Sequence, residues 1–318
     1  MNPLKDLIQH IKDASYILVA GHVSPDGDAI GACIAMGLIL EKMGKEYGIL
    51  LESPSDQYNY LLSTAKVLSE VPEKTCDLFI ALDCADFDRL GPFKDAFEKA
   101  TISWNVDHHI SNTGYGTYNH VDTDASSASE IVFGIYEASK VEMDHQIAQA
   151  IYTGIVYDTA AFKHSNTTSR THRIASELIQ EDFNFSSIIQ QMFYEQPLVS
   201  VQLEGAAIRN IESYFDNALV MATLSLGEIS LYSPDGKGTS GIVNALKNIK
   251  DSKVAVFLYE KSEGEIKISL RSEDPHDVCQ VAKNFGGGGH IKAAGATIYG
   301  SLEEAKEKII PLLMNLFT

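Results

Sequence analysis

The stretch at residues 16–35, YILVAGHVSPDGDAIGACIA, constrains the fold more than any other. It opens on a β-branched apolar run that reads as a buried strand, and residues 29–43 continue as an apolar helix closed by Gly44. The turn between them carries His22, Asp26 and Asp28. One imidazole and two carboxylates crowded at the carboxyl end of a strand repel and desolvate each other unless a cation collects them. The turn is therefore a candidate divalent metal site. PDGD is also a good turn former, and on these residues alone that plainer reading stays open.

The strand and helix alternation continues to about residue 185. Residues 46–51, 77–83 (DLFIALD) and 101–106 (TISWNV) read as strands, each leading toward acidic or histidine residues. Strands interleaved with helices imply an α/β fold, a doubly wound and mostly parallel sheet with ligands at the carboxyl ends of the strands. Asp83 ends the second of these runs, and Asp107, His108 and His109 end the third. Asp158 follows an apolar helix in TGIVYDT. Neutral imidazoles with carboxylates are a donor set for ions such as Mn²⁺ or Mg²⁺, whereas a structural zinc site favours thiolates. These three further positions, added to the three residues of the turn, are too many for one ion and suit two ions sharing a carboxylate, an arrangement that hydrolyses phosphoesters. Taken alone, His108 and His109 also fit ordinary surface or core histidines. Further on, Ser127 with Glu130 fits a capping box at the start of a helix over 127–139, and Thr168 fits an N-cap.

A second alternation starts at Asn217 and describes a smaller α/β domain, with strands KVAVFLYE and EIKISLRS joined across 262–264. Between about 184 and 208 the pattern is looser and reads as a linker. Four consecutive glycines in FGGGGHIKAAG disfavour both helix and strand, so they are expected where backbone approaches something closely. Amides of such a loop, with His290 and Lys292, can hold a phosphate, and Arg271 at the end of EIKISLRS can fork onto one. A flexible, solvated glycine loop is the alternative.

The 318 residues suffice for two cores, and Lys+Arg 25 against Asp+Glu 43 gives a formal charge of -18. Such an acidic surface repels long nucleic acid, so a nucleotide substrate should be short and locally gripped. Leu4, Leu7, Ile8 and Ile11 fall at helical spacing among charges, unlike a signal peptide, and no run reaches transmembrane length. The four cysteines show no paired spacing, which fits reduced thiols in a cytoplasmic protein.

With these residues assembled, the sequence resembles the DHH phosphoesterase superfamily, in particular the DHH/DHHA1 group of nanoRNases and pAp phosphatases. HVSPDGDAIGA, ALDCAD, VDHH and YDT resemble its four motifs in order, and RSEDPHDV and GGGGHIKAAG resemble the DHHA1 domain. The resemblance covers nearly the whole chain. It implies a DHH catalytic domain over 1–185, a linker over 186–208 and a DHHA1 substrate-binding domain over 209–318. It also implies that His22 and Asp26 hold one metal, that Asp28, His108 and Asp158 hold the other, and that Asp83 bridges them. Asp107 would orient the site and His109 would lie near the scissile phosphate, making Asp83, Asp107 and His109 the catalytic candidates. Arg271, Ser272, Gly288, Gly289 and His290 match residues that grip the terminal phosphate and base.

The implied cofactor is a pair of divalent ions, Mn²⁺ foremost and Mg²⁺ as the alternative. The implied substrates are short single-stranded RNA, cut to 5′-mononucleotides, and 3′-phosphoadenosine 5′-phosphate (pAp), cut to AMP and phosphate. Cyclic di-AMP or its linear product pApA is the alternative substrate, and a silent nucleotide-binding module is the non-enzymatic alternative. No long duplex nucleic acid and no membrane are expected as partners, and a homodimer is compatible with the pattern. One departure is Ser240 in GKGTSGIVNAL, where relatives often have Glu. It leaves fine substrate preference open.

Overall fold

A computed structural model describes residues 3–317. The chain forms two compact units that divide between Glu195 and Gln196. Residues 186–208 are mostly helical, lying in Phe185–Phe193 and Leu198–Arg209 with only residues 194–197 between.

The first unit holds β1 (Tyr16–Ala20), β2 (Glu46–Leu50), β3 (Val67–Leu68), β4 (Leu78–Leu82), β5 (Ile102–Asp107) and β6 (Tyr118–Val121). Its helices are α1 (Pro3–Asp13), α2 (Gly27–Lys42), α3 (Asn59–Leu62), α4 (Lys94–Lys99), α5 (Ala128–Ser139), α6 (His145–Asp158), α7 (Ser169–Leu178) and α8 (Phe185–Phe193). The strands form one sheet in the order β3-β2-β1-β4-β5-β6, and every pairing is parallel. All five residues of β1 and of β4 are buried, as expected where helices cover both faces of a sheet. Alternate residues go to opposite faces. Ile17, Val19, Ile80 and Trp104 pack with α1, α2, α5 and α6, while Leu18, Phe79 and Ala81 pack with Phe93 and Phe97. Reversal of strand order beside β1 and β4 brings the loops after these strands to one sheet edge, the usual place for a ligand.

The second unit begins with α9 (Leu198–Arg209) and holds β7 (Glu212–Tyr214), β8 (Leu219–Leu224), β9 (Val254–Ser262), β10 (Glu265–Ser272), β11 (Gly288–His290) and β12 (Ala293–Tyr299). Its other helices are α10 (Leu226–Tyr232), α11 (Ile242–Lys247), α12 (Val278–Lys283) and α13 (Leu302–Met314). The sheet runs β11-β12-β10-β9-β8-β7, and only β8 and β9 pair in parallel. The glycine run departs from the loop expected of its composition, because Gly288–His290 pair with β12 as an edge strand. Close approach explains two of the glycines. A Cβ on Gly287 would collide with the Gly295 carbonyl, and one on Gly289, at φ +141°, with that of Ala293.

Thr168 caps its helix as expected, and Ser301 caps α13, each in a reciprocal capping box. Ser127 accepts from the Glu130 N–H, but the Glu130 carboxylate does not return the bond. The four cysteines are free and buried. Among the described residues no helix is long and apolar enough to cross a membrane.

Candidate metal centre

Four segments deliver polar side chains to the same sheet edge. After β1 the chain places His22 in a turn, and Asp26 caps α2, its Oδ1 accepting from the N–H groups of Asp28 and Ala29 at 3.0 and 3.2 Å. Asp28 then lies in the first helical turn, fully buried. Asp83 follows β4 with φ +57°, a backbone region that side chains other than glycine seldom adopt, and its N–H donates to Val106 O at 3.1 Å. β5 ends in Asp107 and is followed by His108 and His109, while Asp158 is the last residue of α6.

The structure gathers the six expected ligands into two overlapping groups. His22 Nε2 lies 3.7 Å from Asp26 Oδ2 and 3.6 Å from Asp83 Oδ2. His108 Nε2 lies 3.2 Å from Asp158 Oδ2, 3.5 Å from Asp83 Oδ1 and 4.0 Å from Asp28 Oδ2. Asp83 thus turns one carboxylate oxygen toward each group.

The donor chemistry fits divalent cations. His22 Nδ1 sits 2.8 Å from Val23 O, which only accepts, so Nδ1 carries a proton and Nε2 is the ring atom turned toward two carboxylates. Among the described residues, Asp83 Oδ1 and His108 Nε2 are buried and have no hydrogen-bond partner. Among the described residues, the ion-pair partners of Asp83 and Asp158 are histidines rather than lysine or arginine. The cluster therefore tolerates its own charge poorly. Burial and the neighbouring Asp158 push Asp28 up to about 7, and burial together with Asp28 drives Asp83 well above the usual carboxylate range. For His108, burial favours the neutral ring, but Asp158 and Asp83 outweigh it and raise the imidazole to about 11. A cation between these groups replaces such protons with charge.

His109 stands at the side of this cluster. Its Nδ1 lies 2.7 Å from Asp107 Oδ1, and the Asn112 amide donates to Asp107 Oδ2 at 2.6 Å. Burial of Asp107 raises its carboxyl, but the bonds from His109 and Asn112 prevail and hold it below the ordinary range. Asn112 was not among the expected residues; the only signal for it was a polar side chain soon after the paired histidines. The amides of Ala128 and Ser129, which donate to Asp28 Oδ2 and Oδ1 at 2.6 and 2.9 Å, left no trace in residue types.

In the second unit, register decides which expected residues share a face. Arg271 of β10 pairs with Ala293 of β12, and Ala293 pairs with His290 of β11. Opposed residues project to the same face, so Arg271 and His290 flank the small Ala293. Beside that row, Ser269, Gly295 and Gly288 form a second with almost no side-chain bulk. Ser269 and Gly295 border an open hollow of about 540 Å³ that also reaches Lys267 and Thr297. Arg271 is steadied by Asn244 Oδ1 at 3.0 Å from its Nε. Ser272 corrects the expectation. Along a strand successive side chains alternate, so it faces away from Arg271, is buried, and donates its hydroxyl to His276 O at 2.6 Å.

Comparison with known proteins agrees with this architecture. Residues 16–155 match the DHH family, N-terminal domain, and residues 229–316 match the DHHA1 domain. The bifunctional oligoribonuclease and PAP phosphatase NrnA of Bacillus subtilis is 32% identical over 304 residues, covering 94% of each chain. The protein of the same name from Thermus thermophilus is 30% identical, covering 92% of this chain and 88% of its own. An exopolyphosphatase-related protein from Bacteroides fragilis shares the fold over 99% of this chain and 98% of its own, with a TM-score of 0.82 at 24% identity. The chain belongs to the DHH family of phosphoesterases, with a DHHA1 domain following the DHH domain.

Proposed function

We propose that this chain is a two-metal phosphoesterase that trims short oligoribonucleotides to 5′-mononucleotides and converts pAp to AMP and phosphate. One observation carries the reading: the two carboxylate oxygens of Asp83 face two separate imidazole and carboxylate groups. His22, Asp26 and Asp83 would hold one ion, and Asp28, His108, Asp158 and Asp83 the other. Four carboxylates with two imidazoles favour Mn²⁺, with Mg²⁺ as the harder alternative. Such ions, when bound, acidify water and neutralise charge on phosphoryl oxygens. The names of the relatives from Bacillus subtilis and Thermus thermophilus support the substrate assignment.

The protein's own groups supply the remainder. Asp107 grips Nδ1 of His109 and leaves its Nε2 as the atom that meets substrate, where a proton can be given to the departing oxygen. Asn112 keeps Asp107 from turning away. In the second unit Arg271 and His290 would take a terminal phosphate, with Gly288 and Gly289 letting it lie against the strand. The assignment is tested by following a 5′-phosphorylated triribonucleotide and pAp with Mn²⁺, before and after chelation. Hydrolysis of both should stop with chelator and return with Mn²⁺. Turnover that persists in chelator contradicts the reading.

A further inference from the structure

The Glu130 carboxylate is fully buried in the first turn of α5, where a capping box would have turned it back to the Ser127 N–H. It does something else. Its Oε2 accepts from Ser126 Oγ at 2.6 Å and from Thr171 Oγ1, at the start of α7, at 2.8 Å. Its Oε1 lies 3.1 Å from Nε of Arg170, whose Nη1 lies 2.9 Å from Asp122 Oδ2. A buried charge with one cationic partner is costly to keep, so its place in the fold needs a reason.

That reason lies one turn away. The segment held by Glu130 is the one whose Ala128 and Ser129 amides bind both oxygens of Asp28. Asn166 ties the same segment to α6, donating to Ser126 O at 2.8 Å and to Asp158 O at 3.3 Å. The Asp122 N–H donates to Asp107 O at 3.0 Å, joining the far end of the network to β5. The fit is tight, since Asp28 Oδ1 and Ser129 Oγ both lie over Gly154 of α6 where a Cβ would sit. By contrast, the side-chain and cap bonds of His22 and Asp26 run to their own turn, at Val23, Asp28 and Ala29.

We propose that Glu130 and Arg170 are positioning residues for one ion of the pair, the one assigned to Asp28, His108 and Asp158, and not for the other. This rests on the two-metal reading above. Glu130 and Arg170 touch no proposed ligand; they set where the α5 amides hold Asp28 and where Ser126 meets the Asp158 segment. Removing a carboxylate that orients a ligand lowers metal affinity by about 10- to 100-fold. The effect here should fall on a single site.

The test is Mn²⁺ binding by the full chain, read from the electron paramagnetic resonance of free Mn²⁺. Wild type, Glu130→Gln and Arg170→Lys are compared, with thermal melts of each metal-free protein. Wild type should bind two ions. Both variants should keep one site at wild-type affinity and weaken the other by about 10-fold or more. Should Glu130→Gln fail to fold, Arg170→Lys, altered at a half-exposed side chain, carries the same expectation. Variants that melt lower yet bind both ions as wild type does, or that weaken both sites equally, overturn the proposal. Wild type binding fewer than two ions contradicts the two-metal reading itself, before any variant is measured.

Discussion

Around the carboxylate cluster, left-handed backbone angles fall on residues with side chains: Ser24 at φ +52°, Asp83 at +57°, and Ala160, Ala161 and Phe162 at +47°, +55° and +67°. At the edge of the second sheet they fall on glycine, Gly286 at +69° and Gly289 at +141°. Such angles cost a residue bearing a Cβ about 1–2 kcal/mol, and glycine almost nothing. At Asp83 the cost is offset by what the side chain does, since it is the carboxylate that faces both ligand groups. At the glycine strand no side chain is needed, and a Cβ on Gly287 or Gly289 would collide with β12. One region keeps strain beneath a carboxylate that faces both groups; the other discards side chains to bring backbone close.

Asp83→Gly tests this contrast hardest, because it gives the cluster the residue its backbone prefers and removes the shared ligand. Hydrolysis should fall on the order of 10³-fold or more on every phosphoester substrate. The melting temperature of the metal-free protein should rise, as strain and a buried carboxyl crowded by other carboxylates both disappear. Retained activity would remove Asp83 from the chemistry.

In the second unit the contrast is sharpened by two neighbours on opposite faces of β10. Arg271→Ala should raise KM for pAp and 5′-phosphorylated RNA by about 10- to 100-fold, the worth of a charged hydrogen bond. Turnover of bis(p-nitrophenyl) phosphate, which lacks a terminal phosphate, should be unchanged. Ser272→Ala should leave both KM values alone and lower stability by about 1 kcal/mol, seen in urea melts, through loss of its bond to His276 O. Equal kinetic losses in the two variants would mean that Arg271 acts only in folding.

The smallest effect belongs to Ala161, whose left-handed angle supports no ligand of its own. Ala161→Gly should raise stability by up to about 1 kcal/mol in the same melts, with hydrolysis intact. A loss of stability would show that its methyl group, packed against the first core, outweighs the strain.

Much of this clustering was legible in the sequence because polar and acidic chemistry resides in residue type. His22, Asp83, His108 and Asp158 follow apolar runs, and the parallel fold that such runs imply brings their ends to one edge. Ser272 was legible too, had the period of two been followed. Ile266, Ile268 and Leu270 mark the buried face of β10, and Ser272 is next in that series. Glu130 misled because its spacing from Ser127 satisfies a local pattern, while the partner that won its carboxylate, Arg170, comes 40 residues later through tertiary packing. The amides that hold Asp28 could not be read at all. Every residue has one, and only the approach of α5 to α2 selects Ala128 and Ser129.

The central claim is that Asp83 joins two ions, and the spectrum of the Mn²⁺-loaded protein tests it most directly. A carboxylate shared by two Mn²⁺ ions couples their spins, so electron paramagnetic resonance of wild type should show an exchange-coupled pair. In Asp83→Gly that signal should give way to isolated Mn²⁺ or to no bound ion. An uncoupled spectrum in wild type, unchanged in the variant, would contradict the account.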